Sequence, residues 1–153
     1  MNLYALVIGI ATVAFIIFRF KQSKLEYTKW AYPLLLASFP VYYFAFAVYG
    51  NDFTALGKEL VAGMVFFAFA FVAYKSQRAL AAVLVGTGCI LHAVYDVFHN
   101  LLFTNAGTPG WWIEFCGSID LIMGVYLIYF ALTIRSKAQS QNAQSIRASS
   151  LQR

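Results

Sequence analysis

The chain has 153 residues, of which 61% are hydrophobic and 11% charged, and its formal net charge is +5. A soluble domain of this length carries about a quarter charged residues, so the composition excludes an ordinary water-soluble protein and predicts a one-domain integral membrane protein. A basic surplus is usual in the cytoplasmic loops of membrane proteins, so we do not expect a nucleic-acid partner.

Five apolar stretches are each about long enough to cross the ~30 Å hydrocarbon core as a helix. They are residues 2–20, 30–49, 56–74, 79–98 and 111–134. They predict an all-α, five-transmembrane-helix bundle that occupies residues 1–135, and the short connections predict that consecutive helices pack antiparallel. Residues 136–153 are polar and rich in Ser and Gln, which predicts a disordered cytoplasmic tail or a frayed helix extension.

The basic residues predict the orientation of the bundle. Lys58 lies at one end of the predicted helices, and the other Lys and Arg lie in the first and third connections or after the fifth span. Because basic residues concentrate on the cytoplasmic side, we expect the N-terminus outside and the C-terminus in the cytoplasm. The residues at the basic end are Arg19, Lys21, Lys24, Lys29, Lys75, Arg78, Arg135, Lys137, Arg147 and Arg153.

The segment CILHAVYDVFHN, residues 89–100, places three ionisable side chains in an otherwise apolar helix. His92, Asp96 and His99 are spaced by four and three residues, so they form one stripe along the helix. A charge at the centre of a bilayer costs about 2.5–3.5 kcal/mol on insertion scales. We therefore expect the stripe to face other helices and not the lipid.

Carboxylates on the neighbouring spans lie at the same end of the bundle. Glu59 is near the start of the third span, and Glu114 and Asp120 are near the start of the fifth. Glycines on the same faces, such as Gly63 and Gly124, favour close approach of the helices. The sequence thus predicts an enclosed polar pocket in the outer half of the membrane.

This pocket has the residue types of a zinc or related divalent metal site, in which a spare carboxylate serves as general base. The predicted ligands are His92, Asp96, His99 and Asp120. The predicted general base is Glu59 or Glu114. The leading hypothesis is a metal-dependent membrane enzyme, for instance a hydrolase, that acts on a lipid or a small amphipathic molecule.

Other interpretations of the pocket stay open. The same carboxylates could serve a small transporter or a proton or cation carrier, a non-catalytic accessory subunit, or a polar network that fixes helix packing. Haem is not expected, because His92 and His99 lie on one side of one helix and cannot bind an iron from opposite faces. Nucleotide-binding motifs are absent. Cys89 and Cys116 lie in apolar runs and are interpreted as small packing residues and not as ligands.

Residues 58–100, with the later CGSID segment, resemble a bacterial family of small integral membrane proteins whose domain has no assigned function. In that family a helix ends in a pattern like LHxxWDxxHH, and a later helix carries an aspartate soon after a cysteine. The matching positions are His92, Asp96, His99, Cys116 and Asp120, while Tyr95 and Asn100 replace the tryptophan and the second histidine. The resemblance implies a location in the bacterial inner membrane and implies no activity.

Overall fold

Five long helices make up the protein, and the computed structural model describes residues 1–150, with side chains described through residue 144. Each helix is long and apolar enough to cross a membrane, and the described residues contain no strand. The predicted all-α five-helix fold of a multi-pass membrane protein is confirmed, whereas the orientation of the termini stays a prediction. The helices are α1 Leu3–Gln22, α2 Ala31–Tyr49, α3 Phe53–Lys75, α4 Arg78–Leu102 and α5 Trp112–Ser150.

The last helix is longer than the span predicted for it. The predicted span ends at residue 134, whereas α5 continues through residue 150. Residues 136–144 of the predicted tail therefore lie in helix and expose their side chains. The end of that tail, residues 151–153, lies outside the described residues.

Helices α1 and α3 each start after a residue whose side chain caps a free amide. The Asn2 side chain accepts a hydrogen bond from the Ala5 amide at 3.1 Å, and Asp52 accepts one from the Ala55 amide at 2.8 Å. Such caps satisfy amides that the first helical turn leaves unpaired. Between α2 and α3, Asn51 adopts a positive φ of 50°, a conformation that asparagine tolerates better than most residues. The chain therefore turns back sharply, and α3 packs against α2.

The distribution of side chains is that of a bundle surrounded by lipid. Large apolar side chains are exposed on all five helices, for example Phe15, Val41, Phe71, Val97 and Val125. Both histidines and four carboxylates are buried instead, namely Glu26, Glu59, His92, Asp96, His99 and Asp120. Apolar surface faces outward and ionisable groups face inward because only the bundle interior can compensate them.

Helix α4 lies at the centre of the bundle and contacts α2, α3 and α5. Helix α1 packs against α5, and in the described chain it has no close backbone contact with α2, so the prediction that consecutive helices pack antiparallel is wrong for this pair. Gly9 gives the physical reason. A Cβ at Gly9 would clash with the Ser118 side chain and the Phe115 carbonyl, so glycine permits close approach to α5.

Close packing of α4 and α5 brings their polar faces together. A Cβ on Gly86 would lie 2.9 Å from the Gly124 carbonyl oxygen, and a Cβ on Gly124 would lie 2.8 Å from that of Gly86. Gly63 similarly admits the Phe44 ring of α2, whereas Gly117 has open space beside it. Gly86 and Gly124 thus allow α4 and α5 to pack closely. Both glycines lie one to two turns from the ionisable residues of these helices.

Candidate metal centre

Four side chains from α4 and α5 converge inside the membrane-spanning part of the bundle. They are His92 and Asp96 on α4 and Cys116 and Asp120 on α5, hereafter the four-residue cluster. Each offers one metal-ligating atom, and these atoms all lie within 4.8 Å of one another. On each helix the two residues are four positions apart and share a face, and the packing of α4 on α5 sets these faces against each other.

Short contacts join the members of the four-residue cluster. His92 Nδ1 lies 2.7 Å from Asp120 Oδ2 and 3.5 Å from Asp96 Oδ1. The Cys116 thiol donates to Asp120 Oδ2 across 3.7 Å. His92, Asp96 and Asp120 have no exposed surface, and Cys116 is 4% exposed. The two carboxylates are therefore withdrawn from both water and lipid.

Aromatic side chains of α2 and α3 enclose the cluster. The Tyr43 hydroxyl donates a hydrogen bond to Asp96 Oδ1 at 2.8 Å. The ring centroids of Phe39 and Phe66 lie 5.5 Å and 4.6 Å from that of His92. These rings exclude water and hold the imidazole in place. Electrostatic interactions are stronger in such a low-dielectric environment than in water.

A second polar group, hereafter the Glu59 cluster, lies nearer the α4–α5 connection. His99 Nε2 lies 2.8 Å from Glu59 Oε1, and the Tyr95 hydroxyl donates to Glu59 Oε2 at 2.6 Å. Asn105, from the connection, donates to Glu59 Oε1 at 2.8 Å and to the Tyr43 carbonyl at 3.1 Å. The Tyr43 ring stacks on His99 with centroids 4.5 Å apart, so the two clusters adjoin.

The structure brings three of the four predicted ligands together and places the fourth elsewhere. His92, Asp96 and Asp120 belong to the four-residue cluster, whereas His99 belongs to the Glu59 cluster. Cys116 completes the group instead, although its apolar surroundings had suggested a packing residue. Its position one turn before Asp120 is the signal that could have identified it. Cys89, by contrast, lies in the apolar core as predicted.

The two predicted general bases, Glu59 and Glu114, lie outside the four-residue cluster. Glu59 accepts its hydrogen bonds within the Glu59 cluster, as described above. Glu114 Oε1 accepts one from the Asn2 amide at 2.8 Å and lies 3.7 Å from the N-terminal amine. Within the described chain, neither carboxylate is hydrogen-bonded to a member of the four-residue cluster.

Sequence reasoning missed Tyr43 and Asn105, which connect the two clusters. Tyr43 is 53 positions from Asp96, and Asn105 is 46 positions from Glu59. Both contacts join elements that are distant in the chain. No local spacing indicates them, so only the folded arrangement reveals these two residues.

Three buried polar atoms of the four-residue cluster have no hydrogen-bond partner among the described residues. They are His92 Nε2, Asp96 Oδ2 and Asp120 Oδ1. An unpaired buried polar atom costs about 1–3 kcal/mol, and folded proteins seldom keep several in one place without a bound water or ion. Imidazole, thiolate and carboxylate donors suit zinc, whereas magnesium and calcium prefer oxygen donors. These four residues could therefore hold a transition-metal ion.

A cavity of about 280 Å³ reaches the four-residue cluster from the gap between α1 and α2. Ile16, Leu35, Phe39 and Ile119 give it mainly apolar walls, and Cys116 is also part of the wall. Cys116 therefore belongs to both the cavity and the cluster. A small amphipathic molecule in the cavity would meet the cluster at this residue.

Comparison of the chain with protein-family models, curated proteins and solved structures finds no match. The resemblance to a bacterial family of small membrane proteins stays a prediction. The function is therefore inferred from the residues of the four-residue cluster and their surroundings.

Proposed function

We propose that the protein is a membrane-embedded metalloenzyme that holds a zinc ion in the four-residue cluster and acts on a lipid or another amphipathic molecule. The observation that carries this proposal is that the four residues each offer a ligand atom within 4.8 Å of the others. Three of them, His92, Asp96 and Asp120, also keep a buried polar atom without a partner among the described residues. The proposal also places the four-residue cluster in the outer half of a bacterial inner membrane.

Charge balance supports a divalent cation. Asp96 and Asp120 are fully buried, and His92 is the only basic side chain within 4 Å of them in the described chain. Lys58 is the one lysine at the end of the helices where the two clusters lie, and it lies over the Phe103 ring instead. A doubly charged ion would offset two of the three negative charges of the two carboxylates and a Cys116 thiolate, and an uncompensated buried ion costs several kcal/mol in a protein interior.

Cys116 is the position at which the proposed site would open. Four protein ligands close a zinc site, whereas three leave a position for water or substrate. Since Cys116 lies in the wall of the 280 Å³ cavity, its release would free a position on the side where an amphipathic molecule enters. Zinc polarises a carbonyl or phosphoryl oxygen and activates bound water, which suits hydrolysis of an ester, amide or phosphoester bond.

The packing below the site favours a resident ion over a transported one. Polar side chains continue from Asn105 through the Glu59 cluster to Asp120. Towards the basic end, fully buried Leu36, Met123 and Leu127 follow. Beyond these apolar residues, the next buried ionisable side chain in the described chain is Glu26, at the basic end itself. A carrier would need these helices to separate, whereas the proposed enzyme needs only the displacement of Cys116.

Zinc-dependent conversion of a membrane lipid tests the enzymatic part of the proposal. We expect the purified protein, reconstituted in liposomes of a bacterial lipid extract, to convert at least one lipid class with zinc and none after chelation. Because Asp96 is a proposed ligand, Asp96→Asn should slow conversion about 100-fold or more. Mass spectrometry of the lipids gives the readout.

The matched control for this experiment is a substitution in a buried residue outside the four-residue cluster. Cys89 lies in the apolar core, so Cys89→Ser should convert the lipid at close to the wild-type rate. An identical lipid profile with zinc-loaded and zinc-free wild type would contradict the enzymatic proposal. Equal rates for Asp96→Asn and wild type would contradict the assignment of the site.

A further inference from the structure

A second cavity, of about 140 Å³, lies at the opposite, basic end of the bundle. It is bounded by the 3-10 turn Leu25–Tyr27, the start of α2, the end of α3 and the start of α4. Because these elements lie where spans begin or end, the cavity is at the level expected for lipid headgroups. It shares no lining residue with the four-residue cluster.

Three charged residues line this cavity, Glu26, Lys29 and Arg78, and none of them forms an ion pair with another. Glu26 is 7% exposed and accepts a hydrogen bond from the Tyr126 hydroxyl at 3.0 Å, with no cationic nitrogen within 4 Å in the described chain. The Arg78 guanidinium lies over the rings of Tyr27 and Phe130, at 4.1 Å and 5.4 Å from their centroids. Among the described residues it has no carboxylate partner either.

Tyr32 also lines the same cavity. Tyr32 is only 5% exposed, and its hydroxyl has no hydrogen-bond partner among the described residues. The buried Glu26 carboxylate and Tyr32 hydroxyl lie in one cavity with the exposed Arg78 guanidinium. This set suits a ligand that carries both a cation and an anion.

We propose that this cavity binds the headgroup of an ethanolamine phospholipid. The primary ammonium would donate to Glu26, and the phosphate would accept from Arg78 and from the Tyr32 hydroxyl. Guanidinium binds phosphate through paired donors, and basic pockets at span ends are known headgroup sites. The volume is below the ~300 Å³ of sites for drug-sized ligands, which fits a small headgroup.

The chemistry distinguishes ethanolamine from other common headgroups. A choline headgroup carries three methyl groups on its nitrogen, so it offers Glu26 no N–H donor and needs more space. A glycerol headgroup provides no cation for Glu26. The position of the cavity at the span ends favours a lipid over a soluble zwitterion such as free phosphoethanolamine.

Retention of lipid by the purified protein tests this proposal. The full-length protein is reconstituted in vesicles with equal parts of phosphatidylethanolamine, phosphatidylcholine and phosphatidylglycerol, extracted in mild detergent, and its bound lipids are measured by mass spectrometry. Wild type should retain phosphatidylethanolamine preferentially. Glu26→Gln and Arg78→Met should each reduce this preference about tenfold, since each removes a charge-assisted hydrogen bond. Tyr32→Phe should reduce it less.

Two controls keep the test decisive. Lys137→Met removes an exposed basic residue at the same end and should leave the preference unchanged. Arg78→Lys keeps the cation and should retain part of the preference if Arg78→Met fails to fold by circular dichroism. Equal retention of the three lipids by wild type, or an unchanged preference in Glu26→Gln, would overturn the proposal. Displacement of the lipid by millimolar free phosphoethanolamine would indicate that the cavity binds the soluble zwitterion, and it would contradict a lipid ligand.

Discussion

Replacing Asp120 with asparagine is expected to remove zinc from the protein. Wild type purified without chelators should carry about one zinc per chain, and Asp120→Asn should bind zinc at least about 100-fold more weakly. The substitution keeps the size of the side chain but removes one of two buried negative charges and a ligand oxygen. Elemental analysis of the purified proteins measures the stoichiometry, and competition with a zinc indicator measures the affinity.

Glu114→Gln is the matched control for Asp120→Asn. It makes the same carboxylate-to-amide change on the same helix, but Glu114 bonds the Asn2 amide and not the four-residue cluster. It should retain zinc like wild type. Thermal unfolding adds an independent readout, because a ligand that binds only the folded state stabilises it. Chelation should lower the unfolding temperature of wild type and Glu114→Gln but not that of Asp120→Asn. The proposal would be contradicted if the wild-type protein contained no zinc even after incubation with zinc.

Replacing Glu59 with alanine is expected to destabilise the protein by about 3–5 kcal/mol, the range measured when one partner of a buried charged pair is removed. Glu59 is 1% exposed and is contacted by His99, Tyr95 and Asn105. Alanine would leave all three groups buried without their partner. Denaturant unfolding in detergent micelles measures the change in the free energy of unfolding.

Two further variants separate stability from metal binding. Lys58→Ala changes the exposed neighbour of Glu59 and removes only its contact with the Phe103 ring, so it should alter stability by no more than about 1 kcal/mol. Glu59→Gln keeps an acceptor oxygen in place, so it should fold and retain zinc. Loss of zinc in a folded Glu59→Gln protein would show that the Glu59 cluster contributes to the metal site. Wild-type stability of Glu59→Ala would contradict the hydrogen bonds described for it.

The spans and the depth of the polar residues could be predicted from hydropathy and position. Apolar stretches set the five helices. The ends of the third, fourth and fifth spans placed Asp120 at the depth of His92 and Glu59 at the depth of His99, and both pairs are in contact. Helical periodicity also set His92 and Asp96 on one face. These features are local, since each depends on residues within a few turns of one helix.

The partners of the predicted residues could not be read from periodicity. His99 shares the stripe of His92, but Glu59 of α3 lies 2.8 Å from its imidazole. The position of Cys116 one turn before Asp120 indicates a shared helix face, but its proximity to His92 and Asp96 follows only from the packing of α5 on α4. The packing of α1 on α5 depends on a clash that Gly9 avoids. Such choices between neighbouring helices depend on three-dimensional contacts and not on local sequence.

X-ray absorption at the zinc edge of the zinc-loaded protein tests the central claim most directly. The four-residue cluster contains one cysteine, so the spectrum should show one sulfur neighbour at about 2.3 Å and nitrogen or oxygen neighbours at about 2.0–2.2 Å. Cys116→Ser should remove the sulfur neighbour, whereas Cys89→Ser should keep it. A zinc coordinated by nitrogen and oxygen alone in wild type, or a sulfur neighbour that persists in Cys116→Ser, would contradict a metal centre built from His92, Asp96, Cys116 and Asp120.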